Sequence, residues 1–288
     1  MIIWQYLLFA IIIIGLFFVV VMIIDCHRLI IREYNFKSDK VTKDTDFVLL
    51  SDLHSKSFGK NNIRLIEKID SIKPDAIIIS GDMYTAMKGD SGKVAINLLK
   101  ELSSRYRIYY ANGNHEQKTR LSKDEFGNVY GDYFDIVEKL GVKHLVNESF
   151  LDEDSNINIY GLEVDFQYYR KFKRYTIDVE ELNELIGEAP KETYNILIAH
   201  NPQYFDSYAL WNADLVLSGH VHGGLMRFPG SYGFLSPNYT FFPKYSGGEY
   251  IKYSSSMVLS CGIGTHHLPI RIFNPGEISH ISIKSDKN

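Results

Sequence analysis

The sequence predicts an α/β fold in which a mostly parallel sheet is followed by a second sheet, with one long apolar helix in front. Three observations carry this. From residue 46 onward, short apolar runs of strand length alternate with amphipathic segments of helix length. In the second half the helices thin out and strands dominate, which calls for a sheet of their own. Residues 2–24 contain no charged side chain and only Gln5 as a strongly polar interruption.

The apolar stretch comes first in the chain. As a helix, 23 residues extend roughly 34 Å, enough to cross a hydrocarbon core of about 30 Å. A helix buried in a soluble protein would show a polar face, and a cleavable signal peptide would have a basic start, a shorter apolar core and small residues at a cut site. Neither pattern is present, so residues 1–24 read as a single-pass transmembrane helix. Arg28, Arg32, Lys37 and Lys40 follow it and no basic residue precedes it, which predicts that the domain after it faces the cytoplasm. Residues 25–45 are mixed-charge and polar and read as a juxtamembrane linker, leaving 46–288 as one sizeable domain.

Strands are expected at 47–50, 76–79 and 108–111, with helices at 61–72, 93–102 and 130–140 between and after them. Ile63, Ile66 and Ile69 recur at helical spacing, and Pro74 stops that helix. Further strands are expected at 144–146, 157–160, 195–199, 214–217, 257–260 and 278–283, with one helix at 179–186.

Just beyond the carboxyl ends of five of these strands stand Asp52 and His54, Asp82, Asn114, His200, and the pair His220 and His222. Strands of an open sheet present their carboxyl ends along one edge, so five distant segments converge. A single histidine at a strand end is usually a hydrogen-bonded surface residue, and an Asp there often makes an Asx turn; five such coincidences are harder to explain. Imidazole with carboxylate and amide oxygen is a donor set suited to manganese, iron or zinc better than to calcium. Seven donors exceed one tetrahedral ion but suit two ions sharing a bridging carboxylate. Two metals about 3.5–4 Å apart can clamp an in-line displacement at phosphorus and acidify the attacking water. Cys26 and Cys261 fit no metal or redox spacing. A formal net charge of −4 with no long basic run gives no nucleic-acid footprint.

These blocks, Asp52-Leu53-His54, Gly81-Asp82, Gly113-Asn114-His115-Glu116, His200 and Gly219-His220-Val221-His222, resemble the calcineurin-like metallophosphoesterases over essentially the whole soluble part of the chain. The specificity lies in five blocks in the right order, each after a strand. The resemblance implies a four-layer α/β/β/α sandwich of the metallo-dependent phosphatase type and two divalent metal ions, manganese first, with iron, zinc or magnesium as alternatives. It implies Asp52, His54 and His222 at one ion, Asn114, His200 and His220 at the other, and Asp82 between them. His115 would assist the leaving oxygen or the phosphoryl group.

Within the family the chain looks most like a membrane-anchored bacterial branch, on the strength of Gly223-Gly224 and the stretch from Gly262 to Pro275. Members of that branch that hydrolyse UDP-2,3-diacylglucosamine make a nucleotide-linked lipid one candidate substrate. Leu225 and His266 depart from the branch, which often has glutamine and serine there. His266 and Arg271 are candidate phosphate contacts. Two stretches are expected to shape the pocket: 166–174, mixing aromatic and basic residues as an interfacial segment would, and 225–253, long enough for a lid. The expected partners are therefore the lipid bilayer and a phosphate-containing small molecule or lipid. Two other readings share the sequence: a catalytically silent, metal-stabilised module that recruits partners to a membrane, and a nuclease or phosphodiesterase acting on soluble substrates.

Overall fold

A computed structural model of the chain describes residues 2–170, 175–228, 232–235, 241–265 and 269–286. In chain order the strands are β1 (Leu29–Ser38), β2 (Thr45–Leu50), β3 (Ala76–Ile79), β4 (Arg107–Ala111), β5 (Lys143–Leu145), β6 (Glu148–Asp152), β7 (Ile157–Leu162), β8 (Tyr194–Ala199), β9 (Leu215–Ser218), β10 (Met226–Arg227), β11 (Gly233–Leu235), β12 (Gly248–Lys252), β13 (Ser255–Leu259) and β14 (Gly276–Ser285). The helices are α1 (Ile2–His27), α2 (Ile63–Ile72), α3 (Lys93–Ser103), α4 (Asn114–Leu121), α5 (Lys123–Phe126), α6 (Val129–Lys139), α7 (Val179–Ile186) and α8 (Phe205–Leu210).

Two six-stranded sheets form, in the orders β1-β14-β2-β3-β4-β5 and β12-β13-β9-β8-β7-β6. Strands β2 to β5 run parallel, as do β7, β8, β9 and β13, while β14 pairs antiparallel with β2 and β6 and β12 form antiparallel edges. Period-two alternation sorts the side chains into layers. Val48 and Leu50, with Ile77, Ile79, Ile108 and Tyr110, pack under α2, α3 and α6. Their neighbours Phe47, Leu49, Ile78 and Tyr109 face Ile196, Ile198, Leu215 and Leu217 of the second sheet. Leu197, Val216, Met257 and Leu259 point the other way, to Leu182 of α7 and to Phe205 and Tyr208 of α8. The result is the expected four-layer α/β/β/α sandwich.

Helix α1 is long and apolar enough to cross a membrane, and none of its apolar window is buried in the protein. The stretch 25–45, expected to be a linker, differs from that expectation: it holds β1, which pairs with β14 in parallel over ten positions from Leu29↔Gly276 to Ser38↔Ser285. Charge hid this strand, because Arg32 and Glu33 interrupt the apolar pattern. Arg32 is accommodated by an ion pair, Nε lying 3.0 Å from Oε2 of the buried Glu277. Only Arg28 separates α1 from β1, so the apolar helix runs straight into the first sheet.

Candidate metal centre

The seven residues do meet at one place. Asp52 and His54 follow β2, Asp82 follows β3, Asn114 opens α4 directly after β4, His200 follows β8, and His220 and His222 follow β9. Because the two sheets are stacked with these carboxyl ends at the same edge, the loops hold one another. The Asp52 and His54 amides donate to the carbonyls of Gly81 and Asp82 at 3.0 Å each, and the Gly219 amide donates to the His200 carbonyl at 3.1 Å.

Five of the seven sit in left-handed backbone: φ is 54° at Asp52, 48° at His54, 56° at Asp82, 76° at His220 and 54° at His222. That region costs a non-glycine residue on the order of 1–3 kcal/mol and persists only where the surroundings over-determine it. The glycines beside them allow the close approach. A Cβ on Gly113 would lie 2.2 Å from Asp82 Oδ1, and one on Gly219 would lie 1.9 Å from Ser51 Oγ.

Asp82 is the hub. Its Oδ2 lies 3.2 Å from His200 Nε2, 3.8 Å from His54 Nε2 and 3.9 Å from His115 Nε2. Asp52 Oδ1 lies 3.4 Å from His222 Nε2 and 3.9 Å from both His54 Nε2 and His200 Nε2. His54 and His222 meet Nε2 to Nε2 at 2.9 Å, and His220 Nδ1 lies 2.7 Å from Asn114 Oδ1. Three ligand groups follow, each with its atoms within 4.8 Å: Asp52, His54 and His222; His54, Asp82 and His115; Asp82, His200 and His220.

The donors fit divalent cations by their own chemistry. His200 is buried, its Nδ1 donates to the Ser80 carbonyl at 2.5 Å, and its Nε2 faces Asp82 Oδ2 at 3.2 Å. Metal-ligating histidines are fixed through one nitrogen by a carbonyl or carboxylate and present the other to the ion, and His200, held through Nδ1, turns its Nε2 into the cluster in that way. Asp52 and Asp82 are buried, and among the described residues every ion pair they make is to a histidine. Burial and the neighbouring Asp82 push the Asp52 carboxyl up to about 6, against the pull of His200. Burial acts on Asp82 too, but His200 and His115 hold it well below the usual carboxylate range. His200 is pushed down by burial and up by Asp82 and Asp52, and ends at about 9. These shifts come from like and unlike charges packed together out of water, and a bound cation would satisfy the same carboxylates.

Glu116 organises the site from beneath, a role the sequence reading did not assign. Its buried carboxylate accepts the amide N–H of Asp82 (2.9 Å), Met83 (2.8 Å) and Gly113 (3.0 Å) and the Tyr110 hydroxyl (2.7 Å). It ties the β3 and β4 loops together. The signal was in plain view, an acid at the third position of a helix that starts at Asn114, where a side chain can reach back to free amides.

His115 lies beside a cleft of roughly 270 Å³ lined also by His54, Ser55, Thr85, Met87, Asp90 and Thr265. Tyr169, in one of the two stretches expected to shape the pocket, packs its ring 5.3 Å from His220 and 6.2 Å from His200; residues 171–174 of that stretch lie outside the described residues. Arg271 does not face substrate. It is buried, and its guanidinium N–H groups donate to the carbonyls of Cys261, Gly262, Gly264, Asn274 and Pro275. Every side of the fork is used to pin the C-terminal loop. His266 lies outside the described residues.

The family model for calcineurin-like phosphoesterases matches residues 45–224. The chain belongs to that family. As a calcineurin-like phosphoesterase it is similar to an uncharacterised metallophosphoesterase of Campylobacter jejuni, with 28% identity over 264 residues covering 89% of this chain and 64% of the relative. It is similar to an uncharacterised metallophosphoesterase of Aquifex aeolicus, at 24% identity over 92% of this chain and 95% of the relative. A zebrafish (Danio rerio) transmembrane protein with a metallophosphoesterase domain is 28% identical over 82% of this chain and 52% of its own length. This chain therefore spans less than two thirds of the Campylobacter protein and about half of the zebrafish one.

Proposed function

We propose that the protein is a membrane-anchored, dinuclear metal-dependent phosphoesterase that hydrolyses a phosphoester or phosphoanhydride bond of a membrane-associated or nucleotide-linked lipid. The observation that carries it is the gathering of seven donor residues from five strand ends around two buried carboxylates. Asp52, His54 and His222 would hold one divalent ion, Asn114, His200 and His220 the other, and Asp82 would serve both; manganese is the first candidate. When bound, such ions neutralise phosphoryl charge and lower the pKa of water.

The protein's own groups do the rest. His115 Nδ1 accepts the Ala86 amide N–H at 2.7 Å, so a neutral ring carries its proton on Nε2, the nitrogen near Asp82. That N–H is placed to donate a hydrogen bond to the charge developing on a phosphoryl or leaving oxygen, a contribution of about 100-fold to 1,000-fold. The ring of Tyr169 covers the His200 and His220 side and limits access of bulk water there. UDP-2,3-diacylglucosamine is one substrate of the proposed class. The basic residues after α1 support a cytoplasmic face for the catalytic domain.

The test is hydrolysis by the full-length, metal-depleted chain before and after manganese is restored, against lipid extracts and nucleotide-linked lipids, with phosphate products identified by mass spectrometry. Metal-dependent release from at least one lipid-linked phosphate is expected. Two bound ions without hydrolysis of any phosphate ester would favour a silent recruitment module instead.

A further inference from the structure

The strand pair β10–β11 is the direct continuation of the ligand turn, β10 starting four residues after His222, and it is ringed by aromatics. Phe234 packs against Phe228, Phe241 and Phe242 at centroid distances of 5.4, 5.3 and 5.4 Å. The outer members are bare: Tyr232, Phe241 and Phe242 are 69%, 61% and 66% exposed. A contiguous exposed aromatic patch of this kind marks an interaction surface.

Its position says what covers it. The hairpin is joined to the C-terminal loop by a bridge between Met226 and Ile272, with the Arg227 amide donating to the Ile272 carbonyl at 3.0 Å. The next residue, Phe273, packs on Phe17 and Phe18 of the apolar helix at 6.4 and 6.3 Å. Phe18 lies six residues before Ile24, about 9 Å inside the apolar run. The junction is stiff: Asp25 accepts the Asn274 amide at 3.0 Å, and the Cys26 thiol donates to the Pro269 carbonyl at 3.2 Å. A loop clamped to that depth of a membrane-crossing helix lies at the bilayer interface, where aromatic rings concentrate. The same Asn274 donates from Nδ2 to the carbonyls of His222 and Gly224, both at 2.7 Å, so the interface and the metal-site turn share one residue.

We infer that the aromatic hairpin is a second membrane contact, seated in the phospholipid headgroup layer, which holds the mouth of the metal site against the bilayer so that an amphiphilic phosphoester reaches it laterally. This deepens the proposed phosphoesterase reading and rests on it only for the substrate.

The test uses full-length protein in phosphatidylcholine vesicles with bromine on acyl carbons near the interface. Trp4→Phe removes the fluorophore within α1 and leaves the buried Trp211 as a constant background, subtracted using the Trp4→Phe chain alone; Phe242→Trp places a reporter on the hairpin, and Leu151→Trp, on the exposed strand β6 at the far edge of the second sheet, is the control. Phe241→Trp repeats the measurement one position away. Loss of about half or more of the hairpin emission, with the control unchanged, is the result expected for rings at headgroup depth. Equal emission from hairpin and control in brominated and plain vesicles overturns the inference, as does shielding of the hairpin that depends on protein concentration rather than lipid, which would mean a second copy covers it. No step reads hydrolysis, so failure here is separate from failure of the phosphoesterase reading.

Discussion

His54 and His222 face each other Nε2 to Nε2 at 2.9 Å, with rings nearly parallel at 20° and centroids 4.8 Å apart. Two imidazole lone pairs cannot be held this close without a proton or a cation between them. The arrangement joins the β2 loop of one sheet to the β9 loop of the other, so it ties the proposed ion to the packing of the whole sandwich. His222→Ala is expected to remove one of two ions per chain and leave the fold intact, as read by elemental analysis beside circular dichroism. Retention of both ions would remove His222 from the ligand set.

Asp82 touches both halves of the cluster, its Oδ2 lying 3.2 Å from His200 Nε2 and 3.8 Å from His54 Nε2. Asp82→Asn is therefore expected to weaken both ions together rather than one. Titration calorimetry showing one site lost and the other at wild-type affinity would contradict a shared carboxylate.

For His115→Ala the expected outcome is a loss of about 100-fold or more in kcat with metal content unchanged, because its Nε2–H is assigned as the hydrogen-bond donor to the phosphoryl or leaving oxygen. The ring also lies within ligand reach of Asp82 and His54. A variant that loses metal in parallel with activity would make His115 a ligand instead.

Glu116→Gln replaces an acceptor of three amides and one hydroxyl by a group with two donors of its own. At least one buried amide near Asp82 then faces a donor, and a loss of about 1–3 kcal/mol is expected, measurable as a lower denaturation midpoint. An unchanged midpoint would show that Glu116 does not brace the loops.

Cation binding should release a proton from His200. In the metal-free chain its pKa is raised from 6.5 to about 9, because Asp82 and Asp52 outweigh burial. A raised histidine stabilises the fold fully below about 6.5 and loses that contribution as pH rises through 9. Over the same window metal affinity should rise, since Nε2 must shed its proton to bind. Calorimetry in two buffers of different ionisation enthalpy checks this; identical apparent enthalpies would mean that no proton leaves.

Much of this site was legible because strand ends are legible. The runs before Asp52, Asp82, Asn114, His200 and His220 are uniformly apolar, and burial on both faces leaves no other reading for them. What was not legible depends on partners remote in sequence. Strand β1 looked like a polar linker because the ion pair that lets Arg32 sit in a sheet is with Glu277, at the other end of the chain. Arg271 looked like a phosphate contact because a guanidinium suits anions, yet five backbone carbonyls claim it. The left-handed backbone at five ligand positions was hidden behind their donor role: aspartate and histidine are among the residues that tolerate positive φ, but their metal-ligating chemistry already accounted for them.

The most direct measurement is an anomalous difference map at the manganese edge from crystals of the full-length chain grown with manganese. The account predicts two peaks about 3.5–4 Å apart on either side of Asp82, one beside Asp52, His54 and His222 and the other beside Asn114, His200 and His220. A single peak, or peaks away from Asp82, would contradict it.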